Sequence, residues 1–485
     1  MPILVILFLI ATCLPVAWPE PLFGSPAGIT GGFLAAALLA SATLSYMASR
    51  YAAHSRVRST FHRWRRRLFF FNIFGTTACI ALGWGWAVRD AFLIYAESGW
   101  RLAPFAELLI PGPYLLIVAS NWFIYYPAER ALHAAHASDG ERFWSLPGFV
   151  LFHARQFVLL ILLPVLLITG QRAITEFAPA TAGTWWYQLF NGLAFIALVV
   201  FMPLLARRVL GFRSFPDGPC RDRLRATAAR LGFRGNLLFW PTRRAVSNAM
   251  ILGVVRPTRV VVFTDKLLET LPADELDAVF GHEVGHARHG HLPFYYAFLM
   301  LSLTAAAFAL TAVTTLAFGP DWEVPGGWGP LVLLGLLAGY LFVVFGFLSR
   351  VCERQADLAG ARAVSCGDPA CDRHFDDTPL SVNRGPVCGT GARTMGRALE
   401  RVILSGESED GPSRWRRWGA WVKAWQHGSA TSRVEFLYRV ADRPELADRH
   451  DRFAFRVRVG VAVALAAVIV ASGSVIGWAL VWKML

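Results

Sequence analysis

The sequence predicts an α-helical multi-spanning membrane protein of about nine spans, with an α+β domain on the cytoplasmic side. Three observations carry that reading. Of the 485 residues, 55% are hydrophobic and only 16% are charged, where a soluble chain of this size carries about a quarter. The apolar residues gather in blocks close to the roughly 20 residues that a helix needs to cross the hydrocarbon core. Arginine, in turn, is concentrated in every second connecting segment, as it is in loops on the cytoplasmic side.

The blocks fall at 2–18, 28–48, 68–88, 104–126, 148–170, 185–205, 294–318, 329–349 and 457–482. The first lacks a basic leading region and is followed by further spans, so it reads as a retained membrane helix rather than a cleaved signal. The block at 104–126 is interrupted by Pro111 and Pro113. After the second block come Arg50, Arg56, Arg58, Arg63, Arg65, Arg66 and Arg67. Arg130 and Arg142, then Arg207, Arg208 and Arg213, then the arginine-rich stretch after 350 keep the same alternation. The intervening loops are poor in positive charge, as in Asp321-Trp322-Glu323. An odd number of spans follows, with the N-terminus inside and the C-terminus outside.

The net charge of +14 is explained by this pattern and by anionic lipid headgroups, so the bilayer is an expected partner and nucleic acid is not. Seven cysteines, scattered and odd in number, imply no disulfide framework. The expected location is a bacterial inner (cell) membrane, with the active site on the cytoplasmic side.

The domain plan is a six-span membrane region at 1–205, a first polar half at 206–293, two spans at 294–349, a second polar half at 350–456 and a last span at 457–485. In the first polar half, Cys220 to Leu231 has leucine and alanine at helical spacing. Val246 to Val255 and Arg259 to Thr264 are rich in branched residues and read as strands on either side of Arg256-Pro257. Pro272 starts a helix that runs to about His291, before Pro293. In the second half, helix is expected from Cys352 to Val364 and again from Thr394 to Leu404, around a loop-like insertion at 365–393. Trp415 to Trp425 is rich in tryptophan and arginine and suits a membrane surface or the packed interior of the domain.

The helix after Pro272 carries His282-Glu283-Val284-Gly285-His286. Histidines four apart on a helix are about 40° apart around its axis, so both imidazoles close on one metal ion. The intervening Glu283 reaches a water at that metal as general base. One Zn2+ is therefore the expected cofactor, and zinc in catalytic sites takes a third protein ligand. His289 shares the helical face but lies about 7.5 Å along the axis from the centre of the motif; His291 is farther and on another face. Glu353, emerging from the eighth span on the same membrane side, is the better third ligand. Asp357, one turn on, is placed to accept a hydrogen bond from the other ring nitrogen of a ligand histidine. Cys366, Cys371, His374 and Cys388 invite a second zinc reading, but their spacing fits no common structural pattern, and the balance is against an ordered ion there.

The set His282-Glu283-x-x-His286 with Glu353-x-x-x-Asp357 resembles the membrane-bound gluzincin endopeptidases of the HtpX and CAAX prenyl protease family. Val261 to Asp265 with Leu267-Leu268 resembles the strand and turn before the family's motif helix, and Ser247-Asn248-Ala249 its edge strand. His427 and Arg433 resemble its late histidine and arginine, although Gly428 stands where the family has proline. The likeness covers about residues 220–440. It implies a zincin-like metallopeptidase domain, zinc on His282, His286 and Glu353, and Glu283 as the catalytic base. It also implies that Asn248 holds substrate backbone, that Asn248 and His427 donate hydrogen bonds to the oxyanion, and that Arg433 supports the site. The expected activity is a zinc endopeptidase acting on membrane-associated polypeptides near the cytoplasmic face. A membrane sensor-transducer that cleaves a regulator and an inactive scaffold of the same fold are the alternatives.

Overall fold

The structure is a computed structural model that describes residues 24–88, 90–91, 109–136, 142–159, 178–319, 328–374, 378–381, 385–406 and 428–477, with isolated positions between 160 and 177. The expected block at 2–18, the Asp321–Glu323 loop, the tryptophan-rich stretch at 415–425 and His427 lie outside the described residues. The chain divides into two compact units.

The described part of the first unit is helical. Helix α1 (Pro26–Arg50), α2 (Ser55–Cys79), α3 (Gly112–His136) and α4 (Leu146–Phe157) make up most of those described residues. Ala48, Ala52, Phe61, Tyr125, Ala128 and Leu132 form a core between α1, α2 and α3. Ser45 Oγ donates to the Ile124 carbonyl at 2.5 Å, and an Arg65–Glu129 ion pair joins α2 to α3. Past Cys79 the helix runs into a wider turn at Ile80–Trp84, where Gly83 has φ 128°, and the chain bends by 44°.

The second unit holds α5 (Trp185–Leu210) from Ala197 onward, then β1 (Arg213–Ser214), α6 (Pro219–Arg230), β2 (Asn236–Trp240), β3 (Ala249–Leu252) and β4 (Val260–Thr264). After these come α7 (Asp265–Thr270), α8 (Ala273–Arg288), α9 (His291–Phe318), α10 (Trp328–Ala363, in this unit from Leu336), α11 (Gly389–Gly406), α12 (Ala430–Asp442) and α13 (Glu445–Ile476). The sheet has the order β1-β2-β4-β3: β2 and β4 are parallel, and β3 is an antiparallel edge strand with Ala249 opposite Phe263 and Ile251 opposite Val261. Phe215, Leu224, Phe263, Leu267 and Phe280 fill the space between the sheet and α6, α7 and α8. A second core of Leu358, Val387, Met395, Leu437 and Val440 joins α10, α11 and α12. Phe298, Ala305, Leu348 and Leu465 pack the apolar helices α9, α10 and α13 together.

Five helices are long and apolar enough to cross a membrane: Pro26–Arg50, Trp185–Leu210, His291–Phe318, Gly335–Ala363 and Glu445–Ile476. The bent pair Val57–Cys79 and Leu82–Val88 makes a sixth if it is one span. The nine expected spans are thus matched by five or six among the described residues. The block expected at 104–126 is the helix α3, which is not among them: Asn121, Pro127 and Glu129 dilute it. Of the block at 148–170, α4 is helical to Phe157 and the chain stays helical through Leu159; most of 160–170 lies outside the described residues.

Two local expectations are corrected. The motif helix ends before His291: Gly290, with φ 65°, takes the left-handed conformation that glycine tolerates and turns the chain. Pro293 then lies in the first turn of α9, where it lacks only a hydrogen bond that no helix start can make. Strands β1 and β2 were not expected. The apolar run Leu237 to Trp240 lacks the polar alternation of a half-buried strand, because Leu238 and Trp240 are buried on one face and Leu237 and Phe239 pack against the core on the other.

Candidate active site

Helix α8 carries the motif on a buried stretch, and small residues let α10 approach it closely. A Cβ at Gly281 would lie 2.3 Å from Ala363 Cβ, and one at Gly285 2.6 Å from Ala359 Cβ. Gly360 meets the backbone of α8 in the same way, 2.7 Å from the Ala278 carbonyl. That close crossing sets Glu353 and Asp357 of α10 against His282 and His286.

His282, His286 and Glu353 each place a ligand atom within 4.8 Å of the others. The two Nε2 atoms are 3.2 Å apart, and each lies 3.7 Å from a Glu353 carboxylate oxygen. Asp357 Oδ1 stands 3.0 Å from His282 Nδ1. Arg433 of α12, itself buried, donates through Nε and Nη2 to Asp357 at 2.8 and 2.5 Å, and its Nη1 lies 3.2 Å from Glu353. The guanidinium thus balances two buried carboxylates and fixes both.

The other ring nitrogen of His286 is held by groups that no sequence pattern singles out. Asp451 of α13 pairs with Arg362 at 2.7 Å and accepts from Gln355 Nε2 at 3.0 Å. Because a carboxylate only accepts, the Gln355 amide oxygen must face the other way, toward His291 Nε2 at 3.1 Å. His291 Nε2 therefore carries its proton, and its Nδ1 accepts from His286 Nδ1 at 2.9 Å. His286 is left with an unprotonated Nε2 aimed at the cluster, the form in which imidazole binds metal. His291 reaches this place only because Gly290 turns the chain. No spacing rule on one helix would find it; Gly290 before His291 was the available signal.

Burial, with the charge of His282 adding to it, pushes the His286 pKa down to about 3. At His282 burial acts in the same direction, but Asp357 and then Glu353 outweigh it and the pKa is raised. The donor set fits zinc: two imidazole nitrogens with facing lone pairs and one carboxylate converge in a buried site, and a divalent cation resolves their mutual repulsion.

Glu283 Oε2 accepts from Ile251 N–H at 2.8 Å. This fixes the carboxylate beside edge strand β3. Asn248 lies just before that strand, its backbone paired with Thr264 at 2.9–3.1 Å and its side chain exposed. His427 is outside the described residues, and Gly428 (φ 75°) and Ser429 begin the described segment that leads into α12.

Residues 221–375 match peptidase family M48, a stretch that contains the motif helix and Glu353. The match covers about a third of the chain. Related sequences agree with this. A CAAX prenyl protease 1 homolog of Arabidopsis thaliana is 27% identical over 216 residues, 40% of this chain and 49% of that protein. A protease HtpX homolog of Thermoplasma acidophilum is 31% identical over 122 residues, 25% of this chain and 37% of that protein. The chain spans about half the length, or less, of these curated relatives. The crystal structure of S. mikatae Ste24p superposes with a TM-score of 0.50 at 14% identity, covering 86% of this chain and all of that one. That is a likeness of fold, and it extends well beyond residues 221–375 into the helices on either side. With its apolar helices, the chain is an integral membrane protein.

Proposed function

We propose that this chain is a zinc-dependent membrane endopeptidase that hydrolyses peptide bonds of membrane or membrane-associated polypeptides near the cytoplasmic face. The observation that carries the proposal is the convergence of His282, His286 and Glu353 beside Glu283, where α8 crosses α10. The catalytic domain is taken as the two polar halves, 206–293 and 350–456, brought together by the crossing of α8 and α10.

A zinc ion held by His282, His286 and Glu353 would make water nucleophilic at neutral pH and polarise the scissile carbonyl. Glu283 takes the proton of the attacking water and returns it to the leaving amine nitrogen. Its Oε2 is oriented for this by the Ile251 amide. The pairing of β3 with β4 turns the backbone groups of Ala249 and Ile251 away from β4. This is the side from which Ile251 N–H reaches Glu283, and an extended substrate would add to that edge as a further strand. Asn248 and His427 are assigned to oxyanion stabilisation. Asp357, Arg433, His291 and Gln355 orient the ligands.

The test is proteolysis of a membrane-tethered reporter by the purified full chain, with zinc measured in parallel. Glu283→Gln should abolish cleavage by a factor of at least about 100 while leaving zinc content unchanged. Wild type without stoichiometric zinc, or Glu283→Gln with undiminished proteolysis, would sink the assignment.

A further inference from the structure

A second group of metal-ligating side chains lies apart from this site, in the turn after α10 and the approach to α11. Cys366, Cys371, His374 and Cys388 each bring one donor atom within 4.8 Å of the other three. All three cysteines are free. Ligands about 2.3 Å from a tetrahedral zinc lie about 3.8 Å from one another, so about 1 Å of closure completes the shell. One edge is already short: Cys388 Sγ and His374 Nε2 are 3.3 Å apart.

We propose that Cys366, Cys371, His374 and Cys388 form a Cys3His site for one structural zinc ion, distinct from the ion of the peptidase centre. Four protein donors leave no open position, which suits a structural rather than a catalytic ion. The backbone is arranged for thiolate. Gly391 N–H donates to Cys388 Sγ at 3.3 Å, and Cys388 stands immediately before α11, at the positive end of an 18-residue helix. On binding, each thiol gives its proton to solvent and no redox step is involved.

The scaffold around the donors is built, not incidental. Ser365 Oγ accepts from Cys388 N–H at 3.1 Å, and the Ser365 carbonyl accepts from Ser381 N–H at 2.8 Å. Thr390 N–H donates to the Cys371 carbonyl at 3.4 Å, and Arg393 holds Asp372 at 2.9 Å. No helix or strand occurs between Ser365 and Cys388 among the described residues, so a metal supplies order that secondary structure does not. The spacing, Cys-x4-Cys-x2-His-x13-Cys, is not a common zinc pattern; Cys388 is held beside the other three by its N–H bond to Ser365 Oγ and by the Thr390 N–H bond to the Cys371 carbonyl. The first and last ligands come from the two ends of the loop. The ion would therefore clamp the end of α10, which carries Glu353 and Asp357, to the start of α11. Helix α11 in turn holds the motif helix through Arg401 and Glu275 at 3.0 Å.

Cobalt substitution of the full-length protein in detergent reads this site separately, because only thiolate ligands give the near-ultraviolet sulfur-to-cobalt charge-transfer band. Wild type should bind two ions per chain and show the band. His286→Ala should lose one ion and keep it. Cys371→Ser should lose the band and one ion, whereas His374→Cys, which preserves four ligands, should retain both. A wild type with no thiolate band, or a band unchanged in Cys371→Ser, overturns the proposal, as does a disulfide found between any two of these cysteines in freshly purified protein. Failure of the peptidase reading would instead appear as absent Glu283-dependent cleavage with the band intact.

Discussion

At the residue scale, the site depends on which nitrogen of each histidine keeps its proton, and that is decided two and three residues away from the ligands. Gln355 can present its amide oxygen to His291 only because Asp451 claims its nitrogen. Gln355→Leu should therefore leave the fold intact but weaken zinc binding about 10- to 100-fold, measured by competition with a chromophoric chelator. An unchanged affinity would show that His286 needs no such orientation. The pH response follows from His282. Its pKa is raised, so protons compete for it already above the ordinary imidazole range. His286, pushed down to about 3, stays neutral. Zinc affinity should consequently fall as the pH is lowered from about 8 to about 6, with one proton taken up per ion released. Metal content that is flat across this range would count against His282 as a ligand.

At the element scale, the decisive feature is the close crossing of α8 and α10 through Gly281, Gly285 and Gly360. Gly281→Ala puts a methyl 2.3 Å from Ala363 Cβ, and overpacking of this kind costs about 1–3 kcal/mol. The variant should unfold at a lower temperature and lose zinc. Adding Ala363→Gly should restore much of both, because the second change removes the atom in the way. If the double variant is no better than the single one, the contact is not what positions Glu353. The histidine motif and strand β4 are legible from residue order alone. Histidine is scarce, the four-residue spacing is a property of one helix, and branched residues mark β4. Strand β2 is not legible in this way, since its run Leu237 to Trp240 is apolar on both faces and carries no polar alternation to read. Nor is the place of His291, which depends on one backbone conformation at Gly290.

At the scale of the whole molecule, the balance of apolar helices and arginine-rich connections sets the relation to the bilayer. Five or six of the described helices are long and apolar enough to cross it. The reading of an odd total makes a definite prediction: a reporter active only in the cytoplasm should be silent when fused after Leu485 and active when inserted near Arg213. Activity at both positions would mean an even count and a C-terminus on the same side as the site. The fold likeness to the solved Ste24p structure covers 86% of the chain, so it includes helices outside the matched residues 221–375. A motif-based comparison does not find those helices, because lipid-facing surfaces constrain apolarity rather than residue identity.

Membrane character, the motif helix, two histidines at metal-ligand spacing and a carboxylate partner on a second helix can all be read from the amino-acid order. Each is written locally, in composition or in spacing along one element. Only the packed fold reveals how Arg433 bridges Glu353 and Asp357, that His291 and Gln355 fix the tautomer of His286, and that Ile251 holds Glu283. It also gathers four dispersed cysteine and histidine side chains at the foot of α11. These contacts join residues from different elements, and their distances depend on how closely glycine and alanine let helices approach. Such an approach is a property of packing, which no single stretch of sequence records.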